Sequence, residues 1–150
     1  KHACTCTQNQ IQRYTSRISG PLLDRIDLQI EVPAVKYKEL KQTRDVTDSA
    51  TMRDRIKQAR EIQLQRYQDL HFNANHDLTG SWLEEYCSLT EEEHDFLESA
   101  VQRLGLSARA YTRILRIART IADLDGKEDI TVDQLAEAIN YRFLDRRNSQ

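Results

Sequence analysis

Helix breakers are scarce in this chain. Four Gly and two Pro among 150 residues argue against a sandwich or barrel, whose many short strands need turn residues at close intervals. Cysteine is scarce too. Cys4 and Cys6 form a Cys-x-Cys and Cys87 stands alone, which is no disulfide framework and fits a reducing, cytoplasmic setting. No apolar run approaches membrane-spanning length and no signal-peptide pattern opens the chain, so no membrane partner is expected. There is no glycine-rich phosphate loop, and neither a Ser/His/Asp nor a Cys/His arrangement that points to nucleophilic catalysis. Of the four His, only His2 lies near the Cys-x-Cys. That pair supplies two ligands at most, where a tetrahedral structural zinc site needs four. The chain starts at Lys1 without Met, as expected of a piece of something longer.

What is present is charge and helical periodicity. With 39% apolar and 31% charged residues, the composition is that of a soluble helical protein of one ordinary domain. The net charge of -2 hides an asymmetry. Residues 77 to 98 carry eight acids and no Lys or Arg, whereas residues 107 to 124 carry four Arg against the single Asp123. The chain is thus a charge dipole rather than a uniformly basic nucleic-acid binder.

The element that organises the rest is SARAYTRILRIARTIADL, residues 107 to 124. At 3.6 residues per turn, Tyr111, Ile114, Leu115, Ala118, Ile121 and Ala122 share one face, and Arg109, Arg113, Arg116 and Arg119 fall on the other. Ser107 is a good N-cap and Gly126 sits where a left-handed C-terminal cap belongs. On its own, such a basic stripe reads as a solvated face.

Elsewhere, Thr7 with Gln10 has capping-box spacing and opens a short helix over 7 to 19. Gly20-Pro21 ends it, Leu22 to Ile26 form one further turn, and Leu28, Ile30 and Val32 alternate with polar residues as a strand of about five residues would. That strand is an orphan, because no other segment offers a ladder partner. Residues 34 to 49 read as a linker. A long helix from Ala50 to about Asp69 has only a narrow apolar stripe, Met52, Ile56, Ala59 and Ile62, and so lies across a surface rather than in a core. Residues 71 to 80 form a loop, and Ser81 to Cys87 a short helix. Thr90 with Glu93 and Thr131 with Gln134 are two more capping boxes. The first precedes Phe96, Leu97, Ala100, Val101 and Leu104; the second precedes Leu135, Ala136, Ile139 and Phe143. The acids at 91 to 93 fit a helix first turn, where the dipole favours carboxylates.

The fold class is therefore mainly α: a helical bundle over 80 to 150, a long helix and loop over 50 to 79, and a remnant at 1 to 33 carrying the orphan strand. Residues 80 to 144 are expected to pack compactly, and 1 to 33 to lack the sheet they belong to.

Three ordered blocks sharpen the reading. SRISGPLLDRIDLQIEVP (16 to 33), LSARAYTRILRIARTIADLDG (106 to 126) and LAEAINYR (135 to 142) together resemble the C-terminal third of the magnesium-chelatase-like AAA+ ATPases of the ComM competence-protein type. The resemblance covers nearly the whole chain. It implies that Gly20 to Asp27 end a nucleotide-binding core and that Arg25 is an arginine finger reaching the γ-phosphate held by a neighbouring subunit. It implies further that Leu28 to Val32 is the last strand of the AAA+ sheet, and that the helix near 50 to 69 is the insert before the second sensor. Arg109 would be the second-sensor arginine, and Arg116 a further candidate for the nucleotide. Water remains the expected partner of Arg113 and Arg119. Cys4 and Cys6 look like the second half of a four-cysteine zinc group whose first half lies upstream.

Such arginines suit phosphoryl transfer because the charge on the transferring oxygens needs a rigid, always protonated donor fork. ATP and Mg²⁺ are the implied cofactors of the full-length protein, a homo-hexamer with DNA as the implied partner of its branch-migration or unwinding activity. The chain itself lacks the phosphate loop and the acids that hold Mg²⁺, so it is expected to be inactive alone. Two other readings stand beside this one: a magnesium chelatase subunit driving metal insertion into a porphyrin, and a stand-alone helical module that binds DNA through residues 107 to 124. The eight-acid stretch opposes the last, since it repels phosphates.

Overall fold

A computed structural model describes residues 5–23, 25–32 and 47–142. The expectations for Cys4, Asp24, Phe143 and most of the linker at 34 to 49 fall outside these residues. Among the described residues the secondary structure is helical throughout.

Helix α1 (Gln8–Thr15) starts at the expected capping box, with the Thr7 N–H donating to Gln10 Oε1 at 2.8 Å. It buries no residue. A short turn, α2 (Gly20–Leu23), follows. Residues 28 to 32 form no ladder and are assigned no strand, as an extended segment without a sheet partner cannot satisfy its own N–H and C=O groups. The Gln29 amide instead donates to the Tyr141 carbonyl at 2.7 Å, so this stretch lies on the bundle.

Helix α3 (Ser49–Arg66) is capped by Asp48, whose Oδ1 accepts from the Thr51 N–H at 2.7 Å. That hydrogen bond holds the Asp48 carboxyl below its ordinary pKa. The helix divides in two. Its first half is exposed, Met52 and Ile56 included, and its second half buries Ala59 and Gln63 against α6. The predicted stripe is narrow because half of this contact is polar.

A loop then carries Tyr67 and Leu78 into the core through a 3₁₀ turn at Asn75–Asp77. Helices α4 (Ser81–Tyr86), α5 (Glu91–Leu104), α6 (Ala108–Leu124) and α7 (Val132–Asn140) complete the chain. The two further capping boxes form as expected.

Helix α6 is the axis of the bundle, touching α3, α4, α7 and the 3₁₀ turn. Its Ile114, Ala118 and Ala122 are fully buried with Leu97 of α5 and Leu135 and Ala138 of α7, and Leu83 of α4 is buried in the same core. Each large aliphatic side chain buried this way contributes about 1.5–3 kcal/mol. The end of α6 is a Schellman turn: the Lys127 N–H reaches the Ala122 carbonyl at 2.9 Å and the Gly126 N–H that of Asp123 at 3.2 Å. Gly126 takes φ 66° there, a left-handed conformation that glycine adopts without strain.

Candidate functional site

The four arginines of α6 do not behave as one stripe. Arg119, expected in water, is 3% exposed. It donates from Nε to Asp123 Oδ1 at 3.2 Å, from Nη1 to the Glu128 carbonyl at 2.5 Å and from Nη2 to the Lys127 carbonyl at 2.7 Å. The Schellman turn is what brings those carbonyls back within reach, so Arg119 ties the end of α6 to the loop before α7. Arg113, also expected in water, pairs through Nε with Asp27 Oδ1 at 3.0 Å. Arg116 donates from Nε to the Leu78 carbonyl at 2.8 Å. Only Arg109, in the first turn, is exposed and outside every ion pair among the described residues.

Asp123 is the hub of a buried polar network that the sequence reading did not single out. At 1% exposure it accepts from Arg66 at 2.6 and 3.1 Å, from Asn75 Nδ2 at 2.8 Å and from Arg119. Burial alone would lower the Arg66 pKa, but its hydrogen bonds and charge pairing with Asp123 outweigh that and hold the guanidinium more firmly protonated. Asn75 also accepts from the buried Tyr67 hydroxyl at 2.7 Å and donates to Thr120 Oγ1 at 3.0 Å. The network fastens α3 and the 3₁₀ turn to the C-terminal half of α6. The Arg119 and Asp123 pair has i,i+4 spacing, the one local signal that could have pointed to it.

Beside this network lies a groove of about 440 Å³ between α6, α7, the N-terminal half of α3 and the docked segment. Ile117, Ile121 and Leu124 give it an apolar floor, and Arg55, Arg113 and Arg116 line it with Asp27 and Leu28. Asp27 and Leu28 belong to the stretch expected to lack the sheet it belongs to. Two further bonds anchor that stretch: Arg142 Nη1 to the Ile26 carbonyl at 2.9 Å and the Gln29 amide to Tyr141. Arg142 is buried, and the pattern of α7 gave no sign that it would be.

Arg25 is exposed, and its Nη1 donates to the Pro21 carbonyl at 2.8 Å, folding the side chain back on its own turn. Neither Arg25 nor Arg109 lines the groove, whereas Arg113 and Arg116 do. Cys6 is exposed. As donors for a nucleotide phosphate, Arg25 and Arg109 fit in kind: both are exposed guanidiniums with no carboxylate partner among the described residues. They are a partial set, because a phosphate also needs backbone amides and a metal-holding acid, and among the described residues no acid pairs with Arg25 or Arg109.

Two family models match the chain. One described as Magnesium chelatase, subunit ChlI C-terminal, covers residues 46–142, and one described as Magnesium chelatase, subunit ChlI, covers residues 1–40. Competence protein ComM of Haemophilus influenzae is 45% identical over 138 residues, 91% of this chain and 26% of that protein. The YifB protein of Escherichia coli is 42% identical over 142 residues, 94% of this chain and 27% of that protein. A Mycobacterium tuberculosis protein is 31% identical over 139 residues, 93% of this chain and 27% of that protein. The chain thus spans 26% to 27% of the length of these curated relatives.

Proposed function

This chain belongs to the magnesium chelatase family in its ComM-type branch, and from that membership we propose that it is the lid and sensor region of a cytoplasmic, hexameric AAA+ ATPase that drives DNA branch migration or unwinding. ATP would be held with Mg²⁺ by the rest of that ATPase and would supply the reacting phosphate, with Mg²⁺ neutralising part of its charge. The roles left to this chain are those of donors. Arg109 neutralises phosphate charge as the second sensor, and Arg25 does so across the subunit interface after giving up its bond to Pro21. Arg116 adds to this only through its terminal amino groups, its Nε being engaged with Leu78. Cys4 and Cys6 are half of a zinc site completed upstream.

The observation that carries the reading is the contrast along α6. Three arginines are held by a carboxylate or a carbonyl, while Arg109, the proposed second sensor, stays exposed in the first turn of a helix packed against α3, α4 and α7. A guanidinium outside every ion pair among the described residues, on a packed helix, is what preorganised charge stabilisation requires.

In the full-length ATPase, Arg25→Ala and Arg109→Ala should keep the fold and lose ATP turnover, the finger by about 10³–10⁵ in rate. Mixing Arg25→Ala protein with an active-site-dead variant that retains Arg25 should restore some activity. Near-normal turnover of Arg25→Ala in an intact oligomer at saturating ATP would remove the finger role. The family name favours one second reading, metal insertion into a porphyrin. Stimulation of turnover by branched DNA and none by a porphyrin with its metal separates the two.

A further inference from the structure

The segment that carries Arg25 is docked by one bond on α6, the helix that carries Arg109, and by two on the C-terminal end of α7. Three bonds do this, each joining residues far apart in sequence. The buried Arg142 donates to the Ile26 carbonyl at 2.9 Å, the Gln29 amide to the Tyr141 carbonyl at 2.7 Å, and Arg113 pairs with Asp27 at 3.0 Å. Gln29 is 5% exposed, in a segment whose other described side chains are open to solvent. The ion pair alone would be weak, since the Asp27 side chain is 63% exposed and exposed pairs contribute little. With a buried guanidinium on one side of it and a buried backbone bond on the other, the four residues from Ile26 to Gln29 are pinned at three points. Arg25 directly precedes the first of these points and cannot move far from it, because consecutive Cα atoms stay about 3.8 Å apart. On α6, Arg113 lies one turn after Arg109 and on the same side.

We infer that Arg113 and Arg142 are positioning residues that clamp the Arg25 turn to the Arg109 helix, so that within one chain the second sensor and the arginine finger move as one body. The inference rests on the roles proposed above for Arg25 and Arg109. It adds a route between them: a shift of α6 on engaging phosphate at Arg109 passes through Arg113 to Asp27, and through the α7 end by Arg142 to Ile26. Arg113 and Arg142 themselves need touch no nucleotide. Their effect is on where Arg25 points.

Two measurements test the clamp. In this chain, hydrogen exchange of the Gln29 amide, bonded to the Tyr141 carbonyl, should quicken at least about tenfold in Arg113→Ala and in Arg142→Gln, while the α5 to α7 core stays protected. In the full-length ATPase, Arg113→Asp should lower kcat on the order of 10- to 100-fold, the scale of a misplaced donor, with KM for ATP unchanged. The double variant Asp27→Arg/Arg113→Asp should recover most of it, and Arg142→Lys, whose donor ends only one atom short of the guanidinium, should lose less than Arg142→Gln, whose amide ends two atoms short. Unchanged exchange at the Gln29 amide in both single variants would overturn the clamp, as would a charge-swapped pair no better than Arg113→Asp alone. If Arg142→Gln does not fold, the Arg113 variants decide. Failure of the finger role is separable: normal turnover in Arg25→Ala removes the finger while leaving the exchange result to judge the docking.

Discussion

Replacing Asp123 with Ala should be the most damaging single change in the bundle. The carboxylate accepts two bonds from Arg66, one from Asn75 and one from Arg119, and its side chain is fully buried. Removing it leaves two guanidiniums with side chains only 16% and 4% exposed and no counter-charge. Breaking a buried pair by deleting one partner costs about 3–5 kcal/mol. Arg119 keeps its two carbonyl acceptors, which places the expectation at the lower end, about 3 kcal/mol. Set against a total stability of about 5–15 kcal/mol, and at about 4–8 °C per kcal/mol for a bundle of this size, the melting temperature should fall by at least roughly 12 °C. Asp123→Asn, which keeps one acceptor oxygen but turns an amide toward the arginine donors, should lie between wild type and Ala. Circular dichroism melts and urea titrations measure both, and a double-mutant cycle with Arg66→Ala isolates the pair. A loss below about 1 kcal/mol for Asp123→Ala would refute the reasoning, since a loss that small is typical of exposed ion pairs.

Two smaller changes probe other parts of the same argument. Gly126→Ala places its new Cβ where no atom lies within 4 Å, so its expected cost of about 1–2 kcal/mol comes from the left-handed backbone alone; an unchanged urea midpoint would contradict this. The Cys87 thiol is buried and donates to the Leu115 carbonyl, and burial pushes its pKa up to about 12 from 9. The folded state therefore favours the protonated thiol. That stabilisation is complete below pH 9 and is lost as pH rises toward 12, so between pH 9 and 10 the urea midpoint should fall more steeply for wild type than for Cys87→Ala. Equal slopes would argue that the thiol is not desolvated.

The sequence by itself determined the local elements. Three capping boxes, the Ser107 N-cap, the glycine turn after α6 and the apolar face of α6 all depend on residues within four or five positions of one another, so their physics is written in spacing. The family resemblance, carried by three ordered blocks, was legible for the same reason: it needs only residue identity and order. Tertiary structure alone decided which charges are buried. Arg66 and Asp123 are 57 residues apart and Ile26 and Arg142 are 116 apart, and no periodicity reports a bond across such a distance. For that reason Arg119 and Arg113 looked like a solvated stripe until the turn at Gly126 and the docked Asp27 supplied their partners. Helix α3 looked like a surface helix because its core contact runs through Gln63 and Arg66, polar residues that count as exposed until a matching carboxylate is brought to them. A polar side chain is buried only when its partner arrives with it, and that arrival is a property of the fold.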